Sequence, residues 1–288
     1  MGDGITVQLA AGAHVYLRGH GALQFGLDAT RAGIIETDHA PLILATLLGA
    51  RRSRPRGELA AGLVAAGLTP AAADSLLEDL LVYRILVERT HPSVVMLGRG
   101  PLAQSVGRIL AASGVAVRSP IKGESEYSYL TSMSSPVPVV VVDRLAHSRA
   151  MAPLLTRCTT TSIPVSVVDH LGVIGPVRVD AVGPCPLCAD LHRTDHDAFW
   201  HRVVTQAPGG ATAPSPVAAG MVAAQAGAVI CALVGLPTPP GVSPWVPRPG
   251  EVITTDPWAG VSREVMDVHP RCPVCFSYSR NASSTASN

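Results

Sequence analysis

The sequence predicts a two-domain α/β protein, with a small α+β domain ahead of a larger Rossmann-like α/β domain. Three observations lead to this. In the first ninety residues, short strand patterns give way to three short helices and a returning strand. After Pro92 the pattern changes to alternating strands and helices, opening on a glycine-containing strand–turn–helix. Late in that second region one device occurs twice: "CPLC" at 185–188 and "CPVC" at 272–275.

In the first region, "HVYLRGHGALQFGLD" (14–28) and "RAGIIETD" (31–38) read as short strands with glycine turns. "HAPLILATLLGA" (39–50) has helical spacing and ends at Gly49, and "RGELAAGLVAAG" (56–67) is a second helix stopped by Gly67. "TPAAADSLLEDLLVY" (69–83) is a third, with Thr69 as N-cap and Pro70 at the first helical position. "RILVER" (84–89) returns as a strand. This order suggests a winged-helix-like domain over residues 1–92. Its one dense basic run, "RRSRPR" (51–56), falls between helices, while the third helix carries Asp74, Glu78 and Asp79, which repel phosphate. Peptide recognition therefore fits better than DNA binding. An exposed strand, Arg31–Thr37, would accept a peptide by strand addition, with Leu76, Leu80 and Tyr83 walling a side-chain pocket and Asp79 or Arg84 at its rim.

In the second region, "SVVMLGRGPLAQSVGRILAASGVAV" (93–117) is strand, turn, helix, strand. "PVPVVVVDRL" (136–145) is a buried strand ending at Asp143, "RAMAPLLTR" (149–157) a short helix, and "IPVSVVDH" (163–170) another buried strand. "GVIGPVRVDAV" leads into Cys185, "LHRTDHDAFWHRVV" (191–204) reads as a helix, and a long small-residue helix precedes the strands "EVITTD" and "SREVMDVH". The polar tail, 277–288, is expected to be disordered. Gly98 and Gly100 open a nucleotide-type turn against a helix N-terminus. The usual third glycine position is Ala103, however, and the next strand ends in Arg118 and Ser119 without an acid for ribose hydroxyls. Gly98, Gly100 and Asp143 thus read as a vestigial nucleotide site.

Composition limits the function. The chain has 288 residues, 47 % hydrophobic and 15 % charged, and a net charge of +1, which argues against a general polyanion binder. Lys122 is its one lysine, every other basic residue being arginine. "MGDGITVQLA" lacks the basic and apolar regions of a secretory signal. The apolar stretch "AAGMVAAQAGAVICALVGL" is small-residue-rich and glycine-broken, so it reads as a buried helix rather than a membrane span. The expectation is a cytoplasmic protein with no membrane partner. In a reducing compartment, paired Cys-x-x-Cys motifs point to metal rather than disulfides. Cys185, Cys188, Cys272 and Cys275 would surround one structural zinc ion as a closed tetrathiolate. Cys158 and Cys231 lie outside the pattern. His192 and His196 share a helix face, but no Glu follows His192, so a polar face is the reading there.

The order of parts over 93–276 resembles the ThiF/MoeB-type, ubiquitin-activating-enzyme-like family. The elements that carry the resemblance are the glycine-rich βαβ, the strand ending in Asp143, "GPCPLC", the helix after "ATAPSPVAAGMVAAQAG", and the final "CPVC". "GPCPLCADLHRTDHDAFW" is similar to an actinobacterial branch of ThiF-like proteins, the cyclodehydratase and azole-peptide leader-binding branch, in which a winged-helix leader-recognition domain comes first. The resemblance implies a ThiF-like domain with a tetra-Cys zinc, a leader peptide as ligand and a YcaO-type cyclodehydratase as partner. The family's catalytic set does not carry over. No Asn-Arg-Gln stretch is present, Lys122 lies in a Gly/Ser-rich loop, and only Asp143 matches, to the family's later Asp. That implies a catalytically degenerate adenylating domain for which ATP is a doubtful ligand. The active adenylating enzyme and a winged-helix DNA-binding regulator stay open as alternatives, as does homodimer formation.

Overall fold

The computed structural model describes residues 5–19, 21–28, 33–134, 136–210 and 213–277. The tail expected over 277–288 lies outside the described residues from 278 onward, and so does Arg31. The chain divides into two compact units, Met1–His91 with Leu236–Trp245, and Pro92–Gly235 with Val246–Asn288.

The first unit runs β1 (Thr6–Leu9), β2 (Val15–Leu17), β3 (Ala22–Phe25), β4 (Ile34–Glu36), α1 (Ala40–Gly49), β5 (Arg54–Pro55), α2 (Arg56–Ala65), α3 (Pro70–Val82) and β6 (Leu86–Glu88). β1 pairs antiparallel with β5 and β6, and β2, β3 and β4 form a separate antiparallel sheet. The short strand "TVQL" of β1, not expected from sequence, carries the alternation that puts Val7 and Leu9 in the core. Thr69 caps α3 as expected, its hydroxyl accepting from Ala72 N–H at 3.2 Å. The helical spacing then buries Ala73, Leu77 and Leu80 against Leu23, Ile43, Leu47 and Leu63. The segment Leu236–Trp245 joins this unit through Arg84, whose guanidinium donates to Thr238 Oγ1 and, at 2.8 Å, to Val242 O. A boundary drawn at residue 92 misses that return.

The second unit runs β7 (Ser93–Leu97), α4 (Pro101–Ala112), β8 (Ala116–Arg118), α5 (Glu126–Thr131), β9 (Val139–Val142), α6 (Ser148–Cys158), β10 (Ser162–Val168), β11 (Leu171–Ile174), α7 (Pro186–His196), α8 (Trp200–Val204), α9 (Pro216–Leu233), β12 (Glu251–Asp256) and β13 (Gly260–Val265). Its seven-stranded sheet has the order β13-β12-β11-β10-β9-β7-β8. The four strands from β8 to β10 are parallel, and β11, β12 and β13 extend them antiparallel. This mixed α/β sheet is compatible with the Rossmann-like core expected from the alternating pattern. β9 is buried along its whole length, as parallel strands covered on both faces are.

The composition of α9 follows from where it packs. A Cβ at Gly227 would lie 2.5 Å from Ile109 of α4, and one at Gly172 of β11 would lie 2.3 Å from Val222 of α9. The helix is small-residue-rich because it sits tightly between α4 and the sheet. It is long and apolar enough to cross a membrane by length and composition, but its buried residues Val222, Ala226 and Ile230 belong to this interior.

The helix expected over 191–204 differs in the structure. α7 begins earlier, at Pro186 inside the first cysteine motif, and stops at His196. Asp197 then folds back, its Oδ1 accepting from Phe199 N–H at 2.9 Å, and α8 follows separately. An Asx turn of this kind competes with helix continuation.

Candidate functional site

Both cysteine motifs use the same local construction. Cys185 is the N-cap of α7, Pro186 takes the first helical position, and Cys188 lies one turn in. Cys272 and Pro273 open the helical turn 273–277 in the same way, with Cys275 inside it. Proline is pre-organised for that position, and a helix N-terminus favours thiolate charge. The two turns meet. Sγ separations are 3.8 Å for Cys185–Cys188, 3.5 Å for Cys185–Cys272 and 3.5 Å for Cys188–Cys275. All four sulfurs lie within 4.8 Å of one another. A tetrahedral zinc with bonds of about 2.3 Å would set its sulfurs about 3.8 Å apart. Donor type, number and spacing are therefore compatible with a structural zinc ion. Cys185, Cys188 and Cys272 are buried, and Cys275 is partly covered. Thiols this close share their protons. The hydrogen bond to Cys188, then that to Cys275 and burial, push Cys185 up, whereas bonds from Cys185 and Cys188 hold Cys275 down to about 2.

A polar network also joins the two halves, and it reaches the sulfurs, because the His269 backbone N–H bonds Cys188. His269 is 2 % exposed. Its Nδ1 accepts from Arg271 N–H at 3.1 Å, fixing the turn before Cys272, and its Nε2 lies 2.9 Å from Asp195 Oδ2 on α7. Arg271 also donates to Asp195, and hydrogen bonds from His269 and Arg271 hold the Asp195 carboxyl below its usual range. His192 Nε2 lies 3.0 Å from Asp267 O and its ring meets that of His269 edge-on. Its expected role as part of a polar face is thus too weak for His192, while His196 is exposed. Sequence reasoning passed over His269, Asp195 and Arg271, whose pairing spans more than seventy residues. The only local signal was the "HPRC" run into the second motif.

The nucleotide-type turn is built differently. Gly98 has φ +131°, and a Cβ there would meet Val142 O at 2.7 Å. Its glycine is needed for the approach of β7 to β9. Gly100 is the N-cap of α4, with open space around it. Between them, Arg99 donates to Pro120 O at 3.1 Å and Ile121 O at 2.5 Å. Asp143 ends β9 in the left-handed region, φ +52°, and its Oδ1 accepts from Val167 N–H at 3.3 Å. Gly210 packs directly on it: a Cβ there would lie 2.6 Å from Asp143 Cβ and Cγ. Burial pushes the Asp143 carboxyl up, opposed by the Val167 N–H and by Arg144. Arg144 itself pairs with Glu126 at 2.8 Å. Lys122 is exposed. The structure brings Gly98, Gly100 and Asp143 to the same strand ends, with the polar groups nearby engaged by the chain itself.

In the first unit, β4 is the edge of its sheet. Phe25 N–H bonds Gly33 O and Thr37 N–H bonds Gly21 O. With the register Leu23↔Ile35, the alternation of an antiparallel ladder turns the main-chain groups of Gly33, Ile35 and Thr37 toward β3 and those of Ile34 and Glu36 toward the open edge. Ile34 is 42 % exposed. Of the expected pocket wall, Leu80 is 2 % exposed and belongs to the core, Leu76 is partly buried, and Tyr83 is exposed. Arg84 is held by the segment Leu236–Trp245 instead of standing at a rim.

No protein-family model and no curated protein matches the chain. Solved structures do. A heterocyclase in complex with substrate and cofactor aligns over 94 % of this chain and 39 % of its own, at 17 % identity and a TM-score of 0.57. The heterocyclase TruD aligns over 94 % and 43 %, at 14 % identity and a TM-score of 0.54. Escherichia coli MccB with ATP aligns over 94 % and 99 %, at 15 % identity and a TM-score of 0.51. MccB, a microcin C7 biosynthetic enzyme, has also been solved with N-formylated MccA. The likeness is one of fold, and the chain spans about two fifths of the heterocyclases it matches.

Proposed function

We propose that this chain is a leader-peptide-binding partner of a YcaO-type cyclodehydratase in modified-peptide biosynthesis. Its second domain would be of the ThiF type, kept folded by a zinc ion on Cys185, Cys188, Cys272 and Cys275, with no adenylating activity of its own. The ion would supply no chemistry beyond closing a long loop, because four thiolates leave no open position. The observation that carries the reading is the open edge of β4. Among the described residues, the outward main-chain groups of Ile34 and Glu36 have no partner, and the Ile34 side chain is exposed beside them, as strand addition requires. The residues 1–92 would act as a winged-helix-like recognition domain and 93–276 as the presenting scaffold, in the cytoplasm. The fold likeness to heterocyclases and to MccB, a microcin C7 biosynthetic enzyme, supports the pathway class.

The test is titration of the full-length zinc-loaded protein with synthetic precursor peptides encoded beside its gene, followed by amide shifts. Shifts centred on Ile34–Glu36 are expected. Ile34→Pro removes one outward-facing donor without touching the bonds to β3, so it should weaken binding about tenfold while the protein stays folded. Shifts confined to Arg51–Arg56, or unaltered binding by Ile34→Pro, would contradict the proposal.

One observation favours a second reading. MccB, solved with ATP, covers nearly the whole of both chains, so an ATP-dependent adenylating enzyme is the alternative. Pyrophosphate exchange into ATP separates the two, and the leader-binding reading expects none.

A further inference from the structure

Helix α9 carries more apolar surface than its packing in the single chain uses. Its buried residues form one face, against α4 and the strands β10, β11 and β12. On the opposite face Val217, Gly220, Ala224 and Ala228 recur at intervals of three and four and are exposed, Val217 to 60 %. A Cβ at Gly220 would meet nothing within 4 Å. The helix is thus 39 % buried yet apolar all round, and its one polar side chain, Gln225, is partly buried and does not lead the outer face. A helix of that composition is ordinarily covered on every side.

The exposed face continues onto β13. Gly172 and Thr255 are paired, and a Cβ at Gly172 would touch both Thr255 and Val222 of α9, so Thr255 points to the α9 side of the sheet. Val261 is directly opposite Thr255, and Val265 lies four residues on, so both share that side. They are 47 % and 54 % exposed, and Arg263 between them lies 3.7 Å from Glu251. From Val203 to Pro247 the chain has no Asp, Glu, Lys or Arg. Helix and strand together make a strip about 27 Å long and about 20 Å wide, on the order of 550 Å² per copy.

We infer that this surface is a two-fold interface with a second copy of the chain. Two such strips would bury about 1,100 Å² in all, above the roughly 1,000 Å² that a specific contact needs. An isologous contact brings each residue near its own counterpart, where charge would meet like charge. The uncharged face of α9 avoids that, and Gly220, Ala224 and Ala228, four apart, let two helices cross closely. A partner drawn by charge would find none on this helix. A lipid surface is held by Lys and Arg along the helix, which α9 lacks. The inference does not depend on the edge of β4.

The test is sedimentation equilibrium of the full-length zinc-loaded protein. Twice the chain mass is expected at micromolar concentration. The dissociation constant should change less than about threefold between about 0.05 and 0.5 M salt, since no exposed charge is at stake. Ala224→Arg places an unpaired charge in the interface and should weaken association at least about tenfold. Its circular dichroism should match the parent, because the position faces solvent in the single chain. Val261→Lys makes the same demand from β13 and stands in should Ala224→Arg not fold. Ala224→Ser, small and uncharged, should change the constant less than about threefold. A single-chain mass at about 100 µM, or association unaltered by both charged variants, would overturn the inference. So would cosedimentation of the single chain with phosphatidylcholine vesicles, which would assign the face to lipid.

Discussion

The thiolate cluster and the nucleotide-type turn belong to the same unit and are built on opposite terms. At the cluster, four chemically committed side chains come from two short motifs, and the fold has only to bring two helical turns together. At the strand ends the fold is complete, with a parallel sheet, a glycine turn and a helix N-terminus, but the side chains are turned to internal work. Arg99 is spent on two carbonyls, Arg144 on Glu126, and Asp143 on Val167 and Gly210. A shared backbone therefore says little about shared chemistry.

The contrast is broken most directly at the sulfurs. Replacing any of Cys185, Cys188, Cys272 or Cys275 by Ser should take zinc from about one per chain toward zero. The loss of folding free energy should be on the order of 5 kcal/mol, a fall in Tm of about 10–20 °C. Elemental analysis and calorimetry read both. A smaller effect is expected one layer out. His269→Ala removes the buried ring that Asp195 and the Arg271 N–H bond, and should lower the melting temperature by less than loss of a cysteine does and speed zinc loss to a chelator. If His269→Ala released zinc no faster, the network would be tying the segments together without tuning the site.

At the strand ends the expected effects are structural. Gly210→Ala introduces a side chain at φ +89° and against Asp143, which should cost about 1–2 kcal/mol with zinc content unchanged. The smallest effect concerns Asp143. Burial raises its folded-state pKa, so the native state binds the extra proton and stability falls as pH rises from the unfolded value through the folded one. Asp143→Asn keeps the acceptor for Val167 and tolerates a left-handed φ. It should match the parent at acid pH and equal or slightly exceed it at neutral pH. A large loss at neutral pH would mean that the charge is in use.

The same contrast explains what the sequence could disclose. The cysteine motifs were legible because proline, spacing and thiol chemistry are all local. The caps and periods of α3 and the buried run of β9 were legible for the same reason. The break after His196 was not, because it depends on one Asx turn at Asp197. His269 was not, because its partners come from α7. The return of Leu236–Trp245 to Arg84 was invisible to any reading that moves along the chain. Leu80 could be placed either in a pocket wall or in the core, because helical spacing identifies an apolar face without saying what covers it.

Native mass spectrometry of the reduced full-length protein in Mg·ATP tests the central claim most directly, since one spectrum reads both regions. The expected mass is the chain plus one zinc ion, less the protons displaced from the thiols, with no nucleotide adduct beyond that seen on an unrelated control protein. A specific ATP adduct, or a chain without zinc, would contradict it.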